Sequence, residues 1–173
     1  MAGKRAIGYK SVPNGQRTGK KMLLVGQVNP PVITQTDYCG VYLSEKDDIP
    51  SLVRSLSGAP LHVEHNGQVC VGKVLQGWKD PATQTLWALS ELDLSTASGA
   101  FAAAAVEGGT FREFSLGYTS KLGRNPQTGR LEASDKRITE LSIVKNGARP
   151  SCHIHAHSGK DTRSSIYKRG PTR

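Results

Sequence analysis

Cysteine is scarce in this sequence, and long apolar runs are missing from it. The three cysteines among the 173 residues cannot all pair, and none stands in a CxxC spacing. We therefore interpret them as reduced thiols in a reducing compartment and exclude a disulfide framework. No apolar run approaches the length of a membrane span, and residues 1–5 lead into no signal-peptide core. These absences predict a soluble, intracellular protein.

Positive charge is concentrated at the two ends of the chain. Of the net charge of +9, residues 1–21 hold six Lys/Arg and no acid, and residues 145–173 hold seven Lys/Arg and one acid. Such arms can contact nucleic acid or an acidic partner, although solvated termini are the commoner explanation. Because no aromatic interleaving or base-reading motif accompanies them, a dedicated nucleic-acid module is not indicated.

Alternating apolar residues between Gly, Pro and Asn turn signals predict a β-rich chain with two short helices. Acidic residues before the first helix and Ser95-Thr96 before the second are interpreted as N-caps, and Gly108-Gly109 as the end of the second. The predicted strands are 22–28, 38–43, 61–65, 68–78, 85–92, 111–120 and 137–145, the predicted helices are 49–56 and 97–106, and 122–136 is a polar loop or loose hairpin.

These elements suggest a closed or nearly closed, mostly antiparallel β-barrel with the helices packed outside. The length is that of one domain, which we place at 21–157. Residues 1–20 and 158–173 are predicted to be basic, flexible arms.

The strand 111–120 carries the first candidate site residue, Ser115. Alternation places Ser115 and Gly117 on one face, and Phe114 and Leu116 on the apolar face that can pack a core. The missing side chain at Gly117 is expected to leave open space through which a substrate carbonyl could approach the Ser115 hydroxyl. On this strand alone, a small structural serine explains Ser115 better.

His65 is the second candidate, at the exit of the strand 61–65. Alternation puts it on the apolar face with Leu61 and Val63, while His62 is expected to be solvated beside Glu64. An imidazole held in this way can take a proton from a hydroxyl. Taken alone, His65 is more simply a structural histidine.

Several short motifs in a fixed order resemble one known family. Pro60-Leu61-x-Val63-x-His65, Val71-Gly72, Ser115-Leu116 and a strand running into Gly147-x-Arg149 are similar to the herpesvirus capsid maturation proteases, the assemblins. They are similar, more loosely, to the prohead proteases of tailed bacteriophages. The resemblance spans roughly residues 22–152 and implies an assemblin-like barrel.

By this resemblance Ser115 is the nucleophile and His65 the general base. The family's third member is a histidine, and laying Gly147-Ala148-Arg149 on the family's Gly-Arg-Arg turn places Glu140 there instead. A carboxylate can accept a hydrogen bond from His65 and stabilise the imidazolium. The alternatives are His153 in another register, a dyad, or an acid such as Glu64 or Glu113.

The same turn implies the oxyanion site. In the family it uses a backbone N–H and an arginine side chain, which correspond to the N–H of Ala148 and the side chain of Arg149; a surface arginine remains the alternative for Arg149. His153, His155 and His157 alternate as zinc ligands can, but no fourth ligand is evident, and we interpret them as an incidental His-rich segment. We therefore predict no metal and no cofactor.

The resemblance implies a serine endopeptidase that cleaves the capsid scaffold protein and itself during capsid maturation. Family members prefer a small residue before the cut and work as weak homodimers. The chain is then expected inside the assembling procapsid or prohead, in the nucleus if herpesvirus-like or the cytoplasm if phage-like, with 156–158 as a possible self-release region. The alternative is a non-catalytic virion or nucleic-acid-associated β-barrel that acts through its basic ends.

Overall fold

The computed structural model describes residues 21–30, 41–43 and 45–158, so the N-terminal arm, the C-terminal arm beyond Ser158 and the start of the predicted strand 38–43 lie outside the described residues. Its strands are β1 (Lys21–Asn29), β2 (Tyr42–Leu43), β3 (Pro60–Val63), β4 (Cys70–Lys79), β5 (Leu86–Asp93), β6 (Glu113–Arg124), β7 (Leu131–Val144) and β8 (Ile154–His157). The helices are α1 (Glu45–Leu56) and α2 (Ala97–Glu107). Neither described helix has the length and apolar character needed to cross a membrane.

The strands form one sheet in the order β2-β7-β3-β4-β5-β1-β8, with β6 paired to β7. Five pairings are antiparallel, and β7 runs parallel to both β2 and β3. The β-rich class with two helices is therefore confirmed, whereas closure into a barrel is not. An isolated bridge joins Glu113 at the start of β6 to His153 just before β8.

One face of the sheet and both helices enclose the core. Period-two alternation sends Phe114 and Leu116 inward, as predicted, and buried apolar residues of α1 and α2 belong to the same core cluster. The largest fully buried apolar side chains include Leu24, Leu52, Leu56, Leu61, Leu86, Leu92, Phe114, Leu141 and Ile143.

The ends of the helices follow local chemistry, with one exception. The Thr96 hydroxyl accepts a hydrogen bond from the N–H of Gly99 at 3.0 Å, and Gly109 ends α2 with φ +78°, so both predictions for α2 are confirmed. The acidic cap expected for the first helix is wrong for Asp48, because α1 already begins at Glu45. The Asp48 carboxylate binds the fully buried ammonium of Lys136 at 2.7 Å and so ties α1 to β7.

Three predicted boundaries differ from the structure. Residues 122–136 are largely strand, because β6 continues to Arg124 and β7 starts at Leu131 around a turn between them. The predicted strand 61–65 stops at Val63, so its last two residues form a turn. Ser158, expected in the flexible tail, still exchanges hydrogen bonds with Leu23: its N–H donates to the Leu23 carbonyl at 3.0 Å and its Oγ accepts from the Leu23 N–H at 2.9 Å.

Candidate active site

The strands β6 and β7 place Ser115 and Glu140 on the sheet face opposite the core, and β3 lies beside them. Ser115 of β6 lies directly across from Ser142 of β7, and Ser142 lies across from His62 of β3. Residues directly opposite one another in a ladder point to the same side of a sheet. The side chains of these strands that point the other way, such as Phe114 and Leu141, are in the core.

Ser115, His65 and Glu140 form a hydrogen-bonded series on this face. The distance from His65 Nε2 to Ser115 Oγ is 2.9 Å, and the distance from His65 Nδ1 to Glu140 Oε1 is 2.5 Å. A neutral imidazole has one donor and one acceptor nitrogen. Because the carboxylate can only accept, the ring proton belongs on Nδ1, and the serine hydroxyl donates to Nε2. This proton arrangement is the one that nucleophilic activation of a serine requires.

His65 reaches this position from a turn, not from a strand. Glu64 and His65 have φ values of +50° and +57°, in the left-handed region that residues other than glycine rarely adopt. Such a conformation costs on the order of 1–3 kcal/mol per residue and persists only where neighbours hold it. Two hydrogen bonds do so: the N–H of Glu64 donates to the Ile143 carbonyl and the N–H of His65 donates to Ser142 Oγ, both at 3.1 Å. The predicted place of His65 on an apolar strand face is therefore wrong.

The three side chains differ in exposure. The side chain of His65 is 45% exposed, whereas that of Glu140 is 12% exposed and Ser115 as a residue is 7% exposed. The carboxylate is therefore shielded from competing water, while the imidazole stays open to solvent.

Gly117 makes room for Glu140 rather than for a substrate. The two residues are paired across β6 and β7, and a Cβ added at Gly117 would overlap Oε1 of Glu140 and lie 2.7 Å from its Cδ. The open space that the sequence suggested beside Ser115 is thus filled by the carboxylate that binds His65.

His62 is not solvated, contrary to expectation. Its side chain is only 12% exposed, and its Nδ1 lies 3.8 Å from Oε2 of Glu140. Among the described residues this buried nitrogen has no hydrogen-bond partner. Of the two imidazoles beside Glu140, that of His65 is within hydrogen-bond distance of the carboxylate and that of His62 is not.

The other acids and His153 lie elsewhere. Glu64 accepts a hydrogen bond from the N–H of Lys145 at 2.8 Å, and Glu113 accepts one from the N–H of Gly147 at 2.5 Å. His153 lies beside Glu113, with 3.6 Å between Nδ1 and Oε1. The two ring nitrogens of His65 are hydrogen-bonded to Ser115 and Glu140, so neither these acids nor His153 is a partner of the His65 ring.

The turn after β7, residues 145–150, holds both candidate oxyanion groups. Arg149 Nη1 donates to Asn29 Oδ1 at 2.6 Å, and the guanidinium lies 5.7 Å from the centre of the Tyr118 ring. The position of the Arg149 side chain is therefore fixed by its contacts with Asn29 and Tyr118. None of the hydrogen bonds found among the described residues uses the N–H of Ala148.

The His-rich segment forms no metal cluster in the described part of the chain, where no group of three or more His, Cys, Asp or Glu is arranged to hold an ion. His155 instead packs against Trp87, with ring centres 4.9 Å apart. Burial, followed by the nearby charge of His153, lowers the pKa of His155 below its usual value of 6.5.

An apolar groove of about 470 Å³ lies between the β3–β4 turn and α2. Val63, Val71 and Phe101 line it, and none of the three catalytic candidates does. It belongs to the side of the sheet that faces the core and α2.

Sequence reasoning missed Ser142. Its hydroxyl lies 2.6 Å from Oε2 of Glu140. The available signal was the spacing Glu140-x-Ser142, which places both side chains on one face of a strand.

Comparison with known proteins supports the fold but assigns no family. No protein-family model and no curated protein matches the chain. Among solved structures it is similar to a KSHV protease determined in complex with a hexapeptide phosphonate inhibitor, at 14% identity and a TM-score of 0.52, over 86% of this chain and 69% of that one. At this identity the likeness shows an assemblin-like β-rich fold and nothing finer.

Proposed function

We propose that this protein is a serine endopeptidase in which Ser115 is the nucleophile, His65 the general base and Glu140 the residue that orients and stabilises the imidazole. The observation that carries the proposal is the unbroken series of hydrogen bonds from the Ser115 hydroxyl through His65 to the Glu140 carboxylate. The fold-level likeness to a viral protease supports it independently of these distances.

The reaction follows from the proton positions. As Ser115 Oγ attacks a peptide carbonyl, its proton passes to Nε2 of His65, and the resulting imidazolium is stabilised by Glu140 through Nδ1–H. His65 then gives this proton to the leaving amine, which yields an acyl-enzyme. Water, deprotonated by the same imidazole, attacks the ester, and collapse of the second tetrahedral intermediate releases the acid and restores the Ser115 hydroxyl.

The oxyanion donors in this proposal are the N–H of Ala148 and the side chain of Arg149. The contacts of Gly147 with Glu113 and of Arg149 with Asn29 support it, because they hold the turn from both sides. Donors set in advance near the developing charge are usually the largest catalytic contribution, and the loss of one costs on the order of 10²–10³ in rate.

The proposed biological role is cleavage of a capsid scaffold protein, with self-release, during capsid maturation inside the procapsid, by a weak homodimer. The motif order and the fold likeness support it. Closure of the sheet into a barrel is part of the same proposal and is supported by the bridge between Glu113 and His153.

A fluorophosphonate probe tests the chemistry directly, because it reacts with an activated serine hydroxyl. We expect labelling of the wild-type protein and none of the Ser115→Ala or His65→Ala variants. Ser90→Ala is the matched control, since Ser90 is a fully buried strand serine whose hydroxyl has no partner among the described residues. An unlabelled wild-type protein would contradict the proposal and favour the non-catalytic protein that acts through its basic ends. Self-cleavage of a longer precursor, abolished by Ser115→Ala, tests the biological role.

A further inference from the structure

We propose that Ser142 is a positioning residue of this site: its one hydroxyl holds both the backbone of His65 and the carboxylate of Glu140. The consequence for catalysis rests on the proposed function. The contacts themselves do not, since Ser142 Oγ lies 3.1 Å from the backbone nitrogen of His65 and 2.6 Å from Oε2 of Glu140.

The direction of both hydrogen bonds follows from which atoms can donate. A backbone N–H can only donate, so the Ser142 oxygen accepts from His65. The hydroxyl proton is then free to point at Oε2 of Glu140, and 2.6 Å is the length expected for a hydroxyl that donates to a carboxylate. With Oε2 occupied in this way, Oε1 is presented to Nδ1 of His65.

The position of Ser142 makes this hydroxyl difficult to replace. Ser142 is fully buried and lies between Ser115 and His62 in the two strand ladders. It also braces a turn whose two residues have positive φ values, and such a conformation relaxes when its restraints are removed. Loss of the hydroxyl frees the His65 turn and the Glu140 carboxylate together, and His62 Nδ1, 3.8 Å from Oε2, is then a competing partner for that carboxylate.

The kinetic test measures the rate of fluorophosphonate labelling in Ser142→Ala and Ser142→Cys, with Ser90→Ala as the buried-serine control. We expect Ser142→Ala to slow labelling on the order of 10–100-fold, since misplacing a catalytic group by about 1 Å can cost 10²-fold. Ser142→Cys fills the same space with a weak donor, so we expect it to fold and to label at an intermediate rate. Labelling of both Ser142 variants at the rate of Ser90→Ala would overturn the inference.

A second readout does not depend on activity. Proton NMR of the wild-type protein should show a low-field signal from the Nδ1–H of His65, assigned by its absence in His65→Gln. In Ser142→Ala and Ser142→Cys we expect this signal to shift and to exchange faster with water, while Ser90→Ala leaves it unchanged. An unchanged signal in both Ser142 variants would overturn the positioning role even if the protein is a peptidase. A perturbed signal would support that role even if the wild-type protein fails to react with the probe.

Discussion

Replacing Gly117 with alanine tests whether the Glu140 carboxylate must contact His65. The added Cβ would overlap Oε1 of Glu140 and lie 2.7 and 2.8 Å from its Cδ and Cγ. All three atoms belong to the far part of one flexible side chain, so that side chain moves rather than the backbone. A glycine within a strand destabilises the folded protein by roughly 0.5–1 kcal/mol relative to alanine, and this cost is removed by the substitution. We therefore expect no loss of folding stability.

The size of the effect follows from the geometry. Carbon atoms in contact are separated by about 3.5–4.0 Å, so the carboxylate must retreat by about 1 Å. The distance between His65 Nδ1 and Glu140 Oε1 is 2.5 Å in the wild-type protein. A retreat of about 1 Å lengthens it beyond the limit of about 3.2 Å for a hydrogen bond. A displacement of this size costs on the order of 10²-fold, and complete loss of the triad acid's function on the order of 10⁴-fold. We expect the labelling rate of Gly117→Ala to fall within this range.

Gly123→Ala is the matched control, because Gly123 lies on the same strand and a Cβ there would meet nothing within 4 Å. The assay compares fluorophosphonate labelling and thermal unfolding of both variants with the wild-type protein. A wild-type labelling rate for Gly117→Ala would contradict this prediction, since it would mean that Ser115 and His65 react without the carboxylate in contact. A loss of rate accompanied by an equal loss in Gly123→Ala would also refute it.

Three further predictions concern the third member, the buried ion pair and a buried histidine. Glu140→Gln should slow labelling by about 10²–10⁴-fold, whereas His153→Ala should leave it unchanged; the reverse result would assign the third role to His153. Lys136→Met should lower the free energy of unfolding in urea by about 3–5 kcal/mol, because it leaves the Asp48 carboxylate buried and unpaired, and Asp48→Leu added to it should restore much of the loss; an unchanged stability of the single variant would refute this. His155 has a lowered pKa in the folded state, so the unfolded chain binds more protons, and folding stability should be retained above pH 6.5 and decline as the pH falls below it. His155→Phe should flatten this decline in thermal melts, and an unaltered slope would contradict the assignment.

The order of short motifs was enough to select Ser115, His65 and Glu140 as candidates, and the structure brings these three together. Alternation could not predict how His65 is presented, because a period of two assumes a continuous strand and the chain turns at Glu64. It could not reveal the role of Gly117 either. The pairing of β6 with β7 shifts register after Gly117, and nothing in a single strand reports which residue of its partner lies opposite.

Local features could be predicted from the sequence: the strand periodicity, the Thr96 cap, the glycine end of α2 and the apolar residues of the core. These features depend on residues that are close together in the chain, so a short stretch of sequence is enough to predict each of them. The contact between Glu140 and His65, and the Ser142 hydroxyl that contacts both residues, depend on how the whole chain folds. The contacts made by His65 join residues 50 to 77 positions apart, and they depend on strand order, parallel pairing of β3 with β7 and the bulges that set register.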